Sequence, residues 1–229
     1  AGEILGVAGV DGNGQAELEA ALAGLVAPES GSVRIDGTPL PAAMPSARRD
    51  LRLAYIPSDR YRHGLVGPLD LADNLDLGRT PGIRPARRRR RSSAVGRLVE
   101  WDVRGGGPTI SAGDLSGGNA QKLVLSRELD EEPSAVIACH PTRGLDPGAA
   151  ATVAERLVAF AASGAAVLWI GAELDELFNV CDRLVVLAGG EIADRCDRPF
   201  DRTRIGEAMA SALPVAVASA AGDDIEVPA

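Results

Sequence analysis

The chain has 229 residues, 45% of them hydrophobic but only 3% aromatic, and a formal net charge of -8. That length and apolar content suffice for one large domain, or one domain with a subdomain, whose core is built from Ala, Val, Leu and Ile. The acidic balance argues against a general nucleic-acid binder, no apolar run approaches the length of a membrane span, and no signal peptide is visible.

Taken in order, Ile4–Ala8 reads as a short buried strand, and Gly9-Val10-Asp11-Gly12-Asn13-Gly14 as a loop. Gln15–Leu25 then reads as a helix carrying Leu18, Leu22 and Leu25. Ser32–Ile35 with Asp36-Gly37 predicts a hairpin, and Leu51–Ile56 a strand closed by Pro57. A polar loop containing Ser58, Asp59, Arg60 and His63 leads into a short helix over Leu69–Leu77. Five arginines, Arg87–Arg91, open a helix running towards Trp101, with a solvated face as the expected role of the run. Gly105-Gly106-Gly107-Pro108 breaks that helix. Another starts at Ser116 and ends near Glu132-Pro133.

Ala135–Cys139 reads as an apolar strand, Pro147–Ser163 as an alanine-rich helix, Ala165–Ile170 as a strand and Glu173–Val180 as a helix. Asp182–Ala188, Gly189-Gly190 and Glu191–Asp194 form a hairpin, and Asp201–Leu213 a last helix. Residues 214–229 are expected to be a disordered tail. Strands alternate with helices, so an α/β fold with a mainly parallel sheet is predicted. Residues from about 69 to 130 form a helical subdomain within a domain covering 1–213. The start Ala-Gly-Glu, without Met and moving straight into a strand, fits a piece of a longer polypeptide. Three widely spaced cysteines, Cys139, Cys181 and Cys196, predict a reducing compartment and no disulfide framework.

Two glycine turns carry the chemistry. Gly9-x4-Gly14 has the spacing of a phosphate-binding loop, whose next residues would be Lys and Ser or Thr. Here they are Gln15 and Ala16. Gln15 donates only neutral hydrogen bonds, worth about 1 kcal/mol against about 1.5–3 for charged ones, and Ala16 has no hydroxyl for Mg²⁺. Backbone donors at Gly12, Asn13 and Gly14 remain, so weak nucleotide binding without hydrolysis is expected. A dinucleotide fingerprint fails because Glu17 stands at its third glycine; a glycine turn with no ligand is the plain alternative. The second turn is Leu115-Ser116-Gly117-Gly118-Asn119, followed by Ala120-Gln121-Lys122. Its N–H groups at a helix start suit an anion.

Together with the strand Ala135–Cys139 and Pro141-Thr142-Arg143-Gly144-Leu145-Asp146, these turns resemble an ATP-binding cassette (ABC) ATPase, a P-loop NTPase-like fold, over nearly the whole chain to about Leu213. Gly-Val-Asp-Gly-Asn-Gly-Gln, Pro-Ser-Asp-Arg and Leu-Ser-Gly-Gly-Asn resemble more narrowly the second cassette of tandem sugar and nucleoside importer ATPases. The resemblance implies ATP binding at Gly9, Asp11, Gly12, Asn13, Gly14 and Gln15. It implies a signature motif at Leu115–Asn119 and Gln121, and a D-loop aspartate at Asp146.

The departures are systematic. Cys139 stands for the Mg²⁺-holding Asp, His140 for the Glu that polarises water, Ser58 for a Gln, and Ala172 for a switch His. Lys122 is the chain's only lysine and its two histidines are His63 and His140, so no shift of alignment restores the missing groups. His140 reads as a relic rather than a base, and one Cys-His pair supplies too few ligands for zinc; no metal site is expected in this chain.

In the family two cassettes pair head to tail around ATP. The resemblance therefore implies that Ser116, Gly117 and Gly118 complete a partner cassette's site, with Mg²⁺ mainly there, and that the isolated chain is inactive or nearly so. The partner cassette is expected on the N-terminal half of the same polypeptide. Ser58, Asp59 and Arg60 are a contact region for membrane permease subunits, and the location is cytoplasmic, peripheral at the inner face of the cell membrane. A non-transport regulatory or scaffold protein with a cassette fold is the alternative.

Overall fold

The computed structural model describes residues 2–78, 87–130 and 133–211. A six-stranded sheet organises them, with β1 (Glu3–Ala8), β4 (Leu53–Ile56), β5 (Ala135–Cys139), β6 (Ala166–Gly171), β7 (Arg183–Ala188) and β8 (Glu191–Asp197) in the order β4-β5-β6-β1-β7-β8. All neighbours are parallel except the β7–β8 hairpin. β2 (Arg34–Ile35) and β3 (Thr38–Pro39) form a separate hairpin. The strand period of two sorts side chains onto two faces. Ala135, Ile137 and Cys139 enter one apolar cluster with Leu53, Tyr55 and Ile170, whereas Val136 and Ala138 enter the other with Ile4, Trp169 and Leu184.

Helix α1 (Gln15–Leu22) follows β1, and α2 (Ala47–Asp50) precedes β4. The sequence predicts α1 as far as Leu25, but it stops earlier. Gly24 sits at φ 69, its N–H donates to Ala21 O, and Leu25 N–H donates to Ala20 O. That is a Schellman ending, in which glycine tolerates the left-handed conformation. β4 also starts two residues later than predicted, because α2 and the left-handed Arg52 (φ 52) occupy its approach.

α3 (Leu71–Leu75), α4 (Arg87–Glu100) and α5 (Gly117–Glu128) pack on one another, and between Leu69 and Asp130 the described residues contain no strand beyond a bridge of Asp70 with Ser111. The arginine run is only partly a solvated face. Arg88 and Arg89 are exposed, but Arg90 turns onto Asp73 and Asp76, and Arg91 pairs with Asp70 at 3.3 Å. Cations at a helix N-terminus oppose its dipole; the carboxylates of α3 offset that cost. α6 (Pro147–Ala162), α7 (Leu174–Val180) and α8 (Arg202–Ala210) complete the layers. The predicted tail at 214–229 lies outside the described residues.

Candidate functional site

Because β1, β4, β5 and β6 are parallel and in register, their carboxyl ends meet along one edge. Ala8 lies opposite Gly171, Cys139 opposite Ile170, and Ile56 opposite Ala138. Open α/β sheets bind ligands at such an edge. It brings together the loop at 9–14, Ser58, His140 and Ala172.

The loop at 9–14 is anchored from behind. Asn13 is buried; its Oδ1 accepts from Gly189 N–H (2.9 Å) and its carbonyl from Gly190 N–H (3.2 Å), so the β7–β8 turn holds it in place. Gly14, at φ 101, approaches Gly190 so closely that an added Cβ would lie 3.1 Å from its Cα. Gln15 folds back into the loop. Its Nε2 donates to Val10 O (3.0 Å), a Cβ at Gly9 would collide with it, and its buried Oε1 has no partner. Ala16, Asp11 and Gly12 are exposed. An acceptor oxygen, not a cation, is therefore buried in the cradle.

Below the loop, Glu19 occupies the space between α1 and the strand ends. It accepts from the Tyr55 hydroxyl (2.6 Å) and Ser58 N–H (3.0 Å) and is itself buried. Burial, reinforced by Glu19, pushes the Tyr55 phenol and the Cys139 thiol well above their ordinary ranges. Cys139 is thus a neutral, fully buried thiol. His140, at φ 46, donates its N–H to Ile170 O (2.8 Å) and lines a cleft of about 380 Å³ with Asp11, Ala172 and Glu176. Thr142 Oγ1 donates to Glu176 Oε2 at 2.6 Å. Among the described residues no group of three or more His, Cys, Asp or Glu is arranged to hold a metal ion.

The second turn is built differently. Leu115 is buried as an anchor, and Ser116 caps α5 at φ -62, ψ 157 without spending its hydroxyl on the helix backbone. Ser116 Oγ accepts from Asn119 Nδ2 (2.9 Å) and stays exposed. Asn119 Oδ1 accepts from Arg104 N–H (2.7 Å). Gly118 lies against the segment after β5: a Cβ there would be 3.0 Å from Gly144 O. Gln121 is buried, donating from Nε2 to Pro141 O (2.9 Å) and accepting at Oε1 from Arg60 Nη1 (3.2 Å). Arg60 is therefore turned inward, whereas Asp59 beside it is exposed, capping Tyr61 and Arg62 N–H at 3.0 Å each.

A cleft of about 850 Å³ opens beside this turn, lined by Ser116, Gly118, Lys122, Asp146, Trp101 and Arg156. Lys122 Nζ donates to Asp102 Oδ2 (2.9 Å), and Arg156 stacks 3.9 Å from the Trp101 ring centre. Arg104 and then Lys122 hold the Asp102 carboxyl below the usual carboxylate range. Asp146 Oδ1 accepts from Ala149 N–H (3.0 Å) as the cap of α6, and that bond holds its carboxyl low. The exposed Ser116 and the helix start suit an anion, while the cations of the cleft are each paired, Arg104 and Lys122 with Asp102 and Arg156 with Glu100. Reading the sequence missed Glu19, Tyr55, Trp101, Arg104 and Arg156. Glu19 had a signal: with Gln15 it forms an i, i+4 polar pair on the buried face of α1.

Fold, strand-end loop and signature turn together define an ATP-binding cassette. Residues 1–143 match the ABC transporter family, and the chain belongs to it. It is similar to the nucleoside import ATP-binding protein NupA of Lactococcus lactis (41% identical, 84% of this chain and 39% of the relative). It is also similar to a glucose import ATP-binding protein of Haloferax volcanii (36%, 91% and 40%) and a ribose import ATP-binding protein of Rubrobacter xylanophilus (36%, 86% and 39%). The chain thus spans about 39–40% of the length of these relatives. Among solved structures, an ATP-binding subunit of an ABC transporter matches with a TM-score of 0.71 at 27% identity, over 90% of this chain and 82% of that one. The dimeric post-hydrolysis state of an ATP-binding cassette bound to ADP and Pi matches with a TM-score of 0.72 at 20% identity, covering 87% of each chain. The latter likeness concerns the fold alone.

Proposed function

We propose that the chain is the second, hydrolysis-deficient cassette of an importer's ATP-binding protein, and that its signature turn completes a partner cassette's ATP site. The observation that carries this reading is the contrast between the two turns. The chain's own phosphate loop is filled by Gln15, while Ser116 stands exposed at a helix start beside an open cleft. Nucleoside, glucose and ribose in the relatives' names supply the cargo classes, sugars or nucleosides.

In this reading the partner is the N-terminal half of the same polypeptide, and its loop and carboxylates hold Mg–ATP, which supplies the phosphoanhydride that is cleaved. This chain's Ser116 hydroxyl and the N–H groups of Gly117 and Gly118 contact the terminal phosphate. Preorganised donors of this kind stabilise charge that builds up during transfer. Asp146, fixed as the cap of α6, lies beside that contact. The segment Ser58–Arg60 faces the permease at the cytoplasmic side of the membrane, chiefly through exposed Asp59. Ser116→Arg in the assembled transporter tests the reading by filling the cleft mouth. Turnover of Mg–ATP should fall by about 100-fold or more, and unchanged turnover would remove the signature turn from the reaction.

A further inference from the structure

Arg60 joins three chain segments: the turn after β4, α5 and the segment after β5. It opens the turn Arg60–Gly64 after β4, with its backbone fixed by the Asp59 cap. Its Nη1 donates to Gln121 Oε1 on α5 (3.2 Å) and to Arg143 O after β5 (2.8 Å). Its guanidinium lies over two glycines: a Cβ at Gly117 or at Gly144 would come 3.2 Å from Nη2. The neighbouring Tyr61 hydroxyl donates to Leu115 O (3.1 Å), tying the same turn to the first residue of the signature. On the far side Gln121 completes the link through Pro141 O.

From this geometry we infer that Arg60 is a positioning residue, setting the signature turn against the segment 141–146 and linking both to the exposed loop that carries Asp59. The inference rests on the reading that the signature turn serves a partner's nucleotide. Ser116 and the first-turn donors of α5 must keep a fixed relation to Asp146; Nη1 of Arg60 holds Gln121 of α5 and Arg143 O together while the planar guanidinium lies over Gly117 and Gly144. A lysine at this position keeps a charged donor but has no planar group to lie over Gly117 and Gly144.

The test uses the assembled transporter, titrated with Mg–ATP. Arg60→Gln should lower kcat at least tenfold with KM changed less than threefold, because the nucleotide is held by the partner's loop, while the assembly still melts in one cooperative transition. Arg60→Lys should recover only part of kcat. Adding Gln121→Ala to Arg60→Gln should cost less than the two separate losses multiplied together, since the two side chains share one bond while Gln121 also holds Pro141 O. A kcat within twofold of the parent, or losses that multiply independently, would overturn the inference. Should Arg60→Gln fail to fold, Arg60→Lys decides: at least threefold lower kcat at parental melting temperature supports the role, and parental kcat rejects it. Ser116→Arg in the same preparation separates the two claims. If it abolishes turnover while Arg60→Gln is silent, only the role of Arg60 fails; if it has no effect, the reading beneath it fails as well.

Discussion

The loop at 9–16 and the turn at 115–121 share one plan, a glycine turn opening onto a helix, yet their interiors are opposite. In the first, the long side chain after the last glycine folds back, bonds Val10 O and leaves an acceptor buried. In the second, the residue before the helix is an exposed serine, and Gly118 and Asn119 of the first turn line an open cleft with it. Glycine spacing sets the path of the backbone; one neighbouring side chain decides what the path can hold. The supports differ in the same sense. The first turn backs onto a neutral thiol and a buried carboxylate, Cys139 and Glu19. The second is surrounded by Lys122, Arg104 and Arg60, each paired in a fixed direction.

Substitutions on either side sharpen this contrast, and Ser116→Arg carries the largest expected effect. Next comes Glu19→Ala, which leaves the Tyr55 hydroxyl and Ser58 N–H without their acceptor. Urea unfolding of the chain should show a loss of about 1–3 kcal/mol, and a loss near zero would mean that water replaces the carboxylate freely. Smaller still is Gln15→Lys with Ala16→Ser. Exchanging a neutral for a charged donor should tighten nucleotide binding to the isolated chain about tenfold by calorimetry. It should not create turnover, since Cys139 and His140 still lack a carboxylate; the appearance of turnover would place the defect in the loop alone.

How far these turns could be read in advance depended on what each residue reveals locally. Strand and helix order followed from apolar period, because Ala135–Cys139 is buried throughout and Ala166–Gly171 over most of its length in a parallel sheet, so both read as continuous apolar runs. The end of α1 did not, since Gly24 looks like helix interior until its N–H and that of Leu25 are seen to close on Ala21 and Ala20. The glycine turns were visible as spacing. The inward path of Arg60 was not, because its partners Gln121 and Arg143 are 61 and 83 residues away in the chain. Arg90 and Arg91 misled for the same reason: a charge run reads as solvated until Asp70, Asp73 and Asp76 are placed opposite.

The smallest expected effect concerns Asp146. Its carboxyl is held low by Ala149 N–H, so its contribution is complete above the ordinary carboxylate range and is lost as pH falls through the lowered value. Asp146→Ala should lower the melting temperature slightly at neutral pH and flatten its dependence on acidification. Asp146→Asn, which can still accept that bond, should keep the neutral-pH value. If both variants melt alike, the cap is not what the carboxylate contributes.

The contrast between the two turns is tested most directly by Mg–ATP turnover of the purified chain alone beside the transporter assembled with an intact partner cassette. The account predicts background turnover for the chain alone, unaffected by His140→Ala, and robust turnover in the assembly. Robust Mg²⁺-dependent turnover by the chain alone, abolished by His140→Ala, would contradict it.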